Sequence, residues 1–123
     1  MPVLSEVQNS TFIVTLIGDL EGGQLIDAIV AGYSDPRFTV TSSILVDVRQ
    51  SLANPSSEDM YQACKRILGP RPPGHRGKWA ILVRNEPLRF GLGRMAAGRM
   101  GSLGVEMAVF TEMDAALRYL ARP

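Results

Sequence analysis

Cysteine and histidine each occur once in the 123 residues, so an internal disulfide is excluded and too few ligands remain for a Cys/His zinc site. No serine or cysteine is tied to His75 by spacing, which leaves a catalytic triad without support. No apolar run reaches the roughly 18 residues that a membrane span needs. No basic, then apolar, then cleavable leader opens the sequence, and the expected location is the cytoplasm. No paired acid and base is visible, so the chain is expected to be non-catalytic, with neither metal nor cofactor. Net charge is small as well, at +1. That total conceals an asymmetry: residues 1–64 carry eight acids and two bases, residues 65–123 eleven bases and four acids. Such a split accompanies either a polyanion partner or two halves that interleave and neutralise each other; interleaving is the expectation here.

What is present is an ordinary globular composition, 46% hydrophobic and 20% charged, in a chain of one-domain length. The chain is organised around Ser43 to Arg49. Ile44, Leu45, Val46 and Val48 make a short apolar run suited to a central strand covered on both faces. Before it, Val3 to Gln8 and Thr11 to Ile17 read as a hairpin turned at Asn9-Ser10. Gly18 to Gly23 then form a crossover into a helix carrying Leu25, Ile26, Ile29 and Val30. After the central strand come a loop from Gln50 to Pro55 and a helix started by Ser56 or Ser57, with Cys64 on its buried stripe. A loop follows from Arg71 to Lys78, where His75 is expected to be solvated. Trp79 to Val83 is a strand, Leu88 to Leu103 a glycine-rich helix, and Glu106 to Phe110 the last strand. Thr111 with Asp114 resembles a capping box for the final helix. Strands alternating with helices imply parallel pairing through right-handed crossovers, hence an α/β domain.

Two motifs invite overreading. Gly91-x-Gly93-x-x-Ala96 matches a dinucleotide fingerprint in letters, but Arg84 to Phe90 separate it from the preceding strand, so the glycines cannot make the required tight turn. Arg84, Arg89, Arg94 and Arg99 recur every five residues, which on a helix spreads them around the axis, and no nucleic-acid partner is expected. The stem of Arg99 falls on the apolar stripe, with its guanidinium expected to reach an acid or solvent. Asp47 and Arg49, at the carboxyl end of the central strand, either bind a polar ligand or hold the following turn.

The order and spacing of several segments resemble the SpoIIAA-like proteins, a fold shared by STAS domains of anti-sigma-factor antagonists and by Sec14 (CRAL-TRIO) lipid-exchange domains. The segments are Ile17-Gly18-Asp19-Leu20, Tyr33 to Phe38, Ile44 to Arg49, Phe90-Gly91-Leu92 with Met95, and Val109-Phe110-Thr111 leading to Leu117 and Leu120. They cover nearly the whole length as a single domain over residues 1–123. The resemblance implies a mixed, mostly parallel sheet of about five strands with an N-terminal antiparallel hairpin, packed with about four helices. It implies no enzyme. In the antagonists, a serine at the start of the helix after the central strand is phosphorylated by a partner kinase, and Ser56 or Ser57 holds that place. Here Asn54-Pro55 precedes the serines and Glu58-Asp59 follows, where the family has an Asp-Ser-Ser-Gly type of pattern. Two acids would repel a phosphate, which makes capping the expected role.

Two functions follow as expectations. The first, from the Sec14 side, is a module binding a lipid-like, apolar or amphipathic small molecule between sheet and helices, where the glycines of residues 88–103 leave room. Its candidate residues are Asp47, Arg49, Phe90, Leu92, Met95 and Arg99. The alternative is a regulatory module that binds a protein partner through residues 54–60, or pairs with itself as a homodimer through the glycine-rich helix.

Overall fold

The computed structural model of the protein describes residues 3–18 and 22–122. Val3–Gln8 (β1) and Thr11–Gly18 (β2) form the antiparallel hairpin. Asn9 and Ser10 between them take φ of 50° and 68°, the doubly left-handed turn whose twist matches that of the strands. Ser43–Ser51 (β3), Trp79–Leu82 (β4) and Met107–Phe110 (β5) add in parallel, giving one sheet in the order β1-β2-β3-β4-β5. The helices are Gly22–Gly32 (α1), Ser57–Leu68 (α2), Pro87–Ser102 (α3) and Met113–Ala121 (α4). Of the crossover read at Gly18 to Gly23, Gly18 ends β2 and Gly22 and Gly23 open α1; its middle, 19–21, with Asp19 and Leu20 of the family-like segment, lies outside the described residues.

The strand order explains the layering. Each crossover from β2 to β5 steps one place in the same direction, so right-handed connections put α1, α2 and α3 on the same face. Phe12, Val14, Ile44, Val46 and Trp79 point to that face and pack with Ile26, Ile29, Cys64, Ile67 and Met100. The alternate residues Ile13, Leu45, Ala80 and Leu82 point the other way, onto Ala116 and Leu120 of α4. Both faces of the central strands are covered, which accounts for their unbroken apolar runs.

β3 runs two residues further than Arg49. The register passes from Thr15 opposite Asp47 to Ile17 opposite Gln50, so β3 carries one extra residue, a bulge that turns Ser51 to the three-helix side. The final helix corrects another reading. It starts at Met113 after Glu112, with no side-chain cap, and Thr111 lies one position too early to serve.

The largest correction concerns His75, which is 4% exposed. The Arg76 N–H donates to the Val40 carbonyl at 2.7 Å, drawing the 71–78 loop against the turn before β3. A Cβ at Gly77 would lie 1.8 Å from the Ser42 carbonyl oxygen, so only glycine permits this approach. The imidazole consequently sits 5.0 Å from the Phe38 ring, with Nε2 2.8 Å from the same Ser42 oxygen.

The two oppositely charged halves do not neutralise each other through ion pairs among the described residues. The three ion pairs present, Asp35–Arg37, Asp47–Arg49 and Glu86–Arg84, each join residues two apart.

Candidate functional site

The start of α2 separates the two serines. Ser56 is the N-cap: its Oγ accepts the Asp59 N–H at 3.0 Å, with both acids of the first turn following. Ser57, the first helical residue, is exposed and has no capping duty. Its Oγ instead accepts a hydrogen bond from Nη2 of Arg99, near the end of α3. The Arg99 guanidinium lies 5.5 Å from the centre of the Tyr61 ring, and Lys65 Nζ stands 5.3 Å from the same centre. Arg99 therefore reaches a hydroxyl and an aromatic face, where an acid or solvent was expected. Of the neighbouring carboxylates, Glu58 accepts from the Gln62 amide at 2.8 Å, along the surface of α2.

A second arginine of α3 holds the approach to this helix. Arg89 Nη1 donates to the Ala53 carbonyl at 2.6 Å. From Arg89 to Arg99 the helix rises roughly 15 Å, and four extended residues from Ala53 to Ser57 span roughly 13 Å. The segment is thus laid along α3 with an arginine at each end. The five-residue arginine repeat divides accordingly: Arg84 pairs with Glu86, Arg89 and Arg99 hold this segment, and Arg94 is exposed. Leu52, Leu88 and Phe90 leave 56%, 63% and 39% of their surface exposed along the same loop and the first turn of α3.

Asp47 and Arg49 stand apart from this cluster. Asp47 is 4% exposed, and its carboxylate accepts the Arg49 N–H and Nε–H at 3.1 Å and Nη2–H at 2.9 Å. The pair shares the α4 side of β3 with Leu45, and Asp47 raises the guanidinium's proton affinity further. Both oxygens are occupied within the pair.

Residues of α1, α2, α3, the loop after β3 and the strands line a cavity of about 600 Å³, partly open to solvent. Of the residues singled out for a ligand, only Leu92 lines it; Phe90, Met95, Arg99, Asp47 and Arg49 do not. The glycines of α3 divide: Gly93 lines the cavity, whereas Gly91, Gly98 and Gly101 do not. Gly93 is pressed between Val83 and Val109, whereas a Cβ at Gly91, Gly98 or Gly101 would meet open space. Cys64 lies in the cavity wall, where burial pushes its thiol pKa up and keeps it protonated. Among the described residues no group of three or more His, Cys, Asp or Glu could hold a metal ion, and no helix is long and apolar enough to cross a membrane.

Tyr61 does not stand out in the sequence, and the arginine repeat does not show which arginine meets which segment, because these contacts join parts of the chain about 36 to 42 residues apart. The signal that did exist was Ser56-Ser57 beside two acids. Ser57 and Arg99, placed in separate candidate sites from the sequence, are hydrogen-bonded to each other.

The sequence matches no protein-family model and no curated protein. Solved structures do resemble it. An anti-sigma factor antagonist from Mycobacterium paratuberculosis superposes with a TM-score of 0.63 at 14% identity, covering 98% of this chain and 93% of its own. An uncharacterised protein with a SpoIIAA-like fold from Shewanella loihica does so with a TM-score of 0.56 at 16% identity, covering 97% and 92%. The likeness runs over nearly the full length of both, and the chain has the SpoIIAA-like fold: a five-stranded mixed sheet with four helices.

Proposed function

We propose that this chain is a regulatory protein-interaction module that meets its partner with the segment from Ala53 to Tyr61 and the adjoining surface of α3, and that the state of Ser57 sets the affinity. The observation that carries the reading is the division of labour between the two serines. Ser56 is spent on the cap, so Ser57 is free to change without unseating the helix. A phosphate on Ser57 would add about −1.5 to −2 of charge at a helix amino terminus, with Arg99 already at its oxygen. Glu58 and Asp59 oppose that charge; Arg99 and the helix end favour it. The fold it shares with an anti-sigma factor antagonist supports a protein partner. Exposed Leu52, Leu88 and Phe90 supply apolar area at the Arg89 end of the same segment.

The test is affinity capture from the protein's own cells with wild type, Ser57→Ala and Ser57→Asp as baits. One partner should be retained by wild type and Ser57→Ala and weakened about tenfold or more by Ser57→Asp, the size expected for placing a charge against a docked surface. Ser56→Ala is the control for helix fraying: it should lower stability by about 1 kcal/mol and leave the Ser57→Asp effect intact. Equal capture by all three baits would remove the switch.

A further inference from the structure

β1 closes one end of the sheet and β5 the other, and the two edges are unlike. β5 has four residues, a short edge of the kind that resists further pairing. β1 has six, Val3 to Gln8, matched to β2 throughout without a shift in register. It carries neither proline nor lysine, the residues that commonly keep an edge strand from pairing again. The turn fixes which of its backbone groups are free. A two-residue loop with both residues at positive φ makes Gln8 and Thr11 a hydrogen-bonded pair, and such pairs alternate with non-bonded ones along an antiparallel ladder. Leu4, Glu6 and Gln8 therefore turn their N–H and C=O groups to β2. Val3, Ser5 and Val7 turn theirs outward, where no strand lies among the described residues.

We infer that this edge pairs with β1 of a second copy of the chain, antiparallel, joining the two five-stranded sheets into one. The outward groups are complementary to themselves. Under a two-fold axis through Ser5, perpendicular to the sheet, Ser5 faces Ser5 and Val3 faces Val7 of the second copy, so that the three pairs exchange about six main-chain hydrogen bonds. Val3 and Val7, which pack on the three-helix side, then meet across the seam as β-branched pairs, and on the other face half-exposed Leu4 lies opposite Glu6. Moving the axis to Glu6 would oppose two carboxylates and leave Val3 unpaired, which selects the first register. The helices agree with it. α1 touches both β1 and β2 and so lies about half a strand spacing inside the edge. Two copies joined at β1 bring their α1 axes to roughly 10 Å on the same face, a packed-helix distance. Ala28 and Ala31, which line a groove of about 210 Å³ between α1 and β1, are small enough to allow the approach. The surface differs from the glycine-rich helix considered for self-pairing from the sequence: α3 lies at β4 and β5, the far end of the sheet. Each copy thus keeps residues 53–61 and α3 clear, and the pairing stands whether or not Ser57 is a switch.

Sedimentation velocity of the whole chain from micromolar to millimolar concentration should show a reversible monomer–dimer equilibrium. Ser5→Pro removes an N–H that the hairpin does not use, so the variant should keep the wild-type melting temperature when dilute and remain monomeric. Leu4→Glu sets like charges opposite each other twice per dimer and should weaken association about tenfold, whereas Leu4→Lys faces Glu6 and should associate at least as tightly as wild type. Because the Leu4 side chain is half exposed, this pair keeps the test sound if Ser5→Pro fails to fold. In amide exchange followed by NMR, Ser5 and Val7 should slow as concentration rises, while Leu4 and Glu6, bonded to β2, are protected at every concentration. A monomer throughout the range, or a dimer that survives Ser5→Pro with the fold intact, would overturn the pairing. Equal effects of Leu4→Glu and Leu4→Lys would overturn the register. Protection of Ser5 that appears only when another protein is added would give the edge to a foreign strand and overturn the second copy as its occupant.

Discussion

His75 donates from Nε2 to the Ser42 carbonyl, since a carbonyl can only accept, and this leaves Nδ1 as the bare nitrogen. Nδ1 is buried with no partner among the described residues. A second proton would have to go there, with nothing among the described residues to accept its hydrogen bond. Burial accordingly lowers the histidine's pKa, the charge of Arg71 lowers it further, and the Ser42 bond opposes them in part. A depressed pKa in the folded state means that the unfolded chain binds the proton more readily. The neutral ring therefore contributes stability that is fully present above the unfolded value of 6.5 and is lost as pH falls through the folded one. The melting temperature of wild type should drop between about pH 7 and about pH 5 more steeply than that of His75→Gln, which has no proton to gain in that window. Parallel curves for the two proteins would show that His75 titrates as it does in the unfolded chain. Histidine in a Pro- and Gly-rich loop carries no local mark of burial. The cause is the approach of Gly77 to Ser42, made by residues 35 positions apart.

At the level of the element, α3 shows what glycine counting can and cannot reveal. Four glycines in one helix signalled an unusual surface, but their roles depend on what faces each of them. At Gly93 a Cβ would lie 2.9 Å from Val109 Cγ1 and 3.0 Å from Val83 Cγ1, both on stiff β-branched side chains. Gly93→Ala should push α3 off the sheet and cost about 1–3 kcal/mol. Gly98 looks into open space inside the same helix, and Gly98→Ala should stabilise by up to about 1 kcal/mol. Thermal or urea unfolding of the two variants checks both signs, and a shared sign would mean that α3 packs otherwise than described. The α2 cap, by contrast, was legible, because Ser-x-x-Asp is a local pattern whose partner atoms lie within one turn. What the remaining Ser57 meets was not legible, because its partner Arg99 is 42 residues away.

For the molecule as a whole, the alternation of strands and helices was readable from the chain, since apolar runs and turn residues are set locally. The Ile44–Val48 run, for example, announced a strand covered on both faces, and Ile44 and Leu45 do point to opposite cores. The apolar space beside α2 was not readable, because its lining is drawn from α1, α2, α3 and the strands, which are far apart in the chain. The charge asymmetry was visible too, but its use was not: the second half directs Arg89 and Arg99 to oxygens of residues 53 and 57 in the first half. The sheet thus has two different sides. One carries α1 to α3, with Ser57 and its arginines at its outer surface; the other carries α4 and the closed Asp47–Arg49 pair. Partner binding is assigned to the first side. Hydrogen–deuterium exchange of the protein with and without its captured partner, at saturating partner, distinguishes the two most directly. Protection should appear in peptides covering residues 53–61 and α3, and should diminish in Ser57→Asp. Protection confined to α4 and the Asp47–Arg49 end of β3 would contradict the assignment.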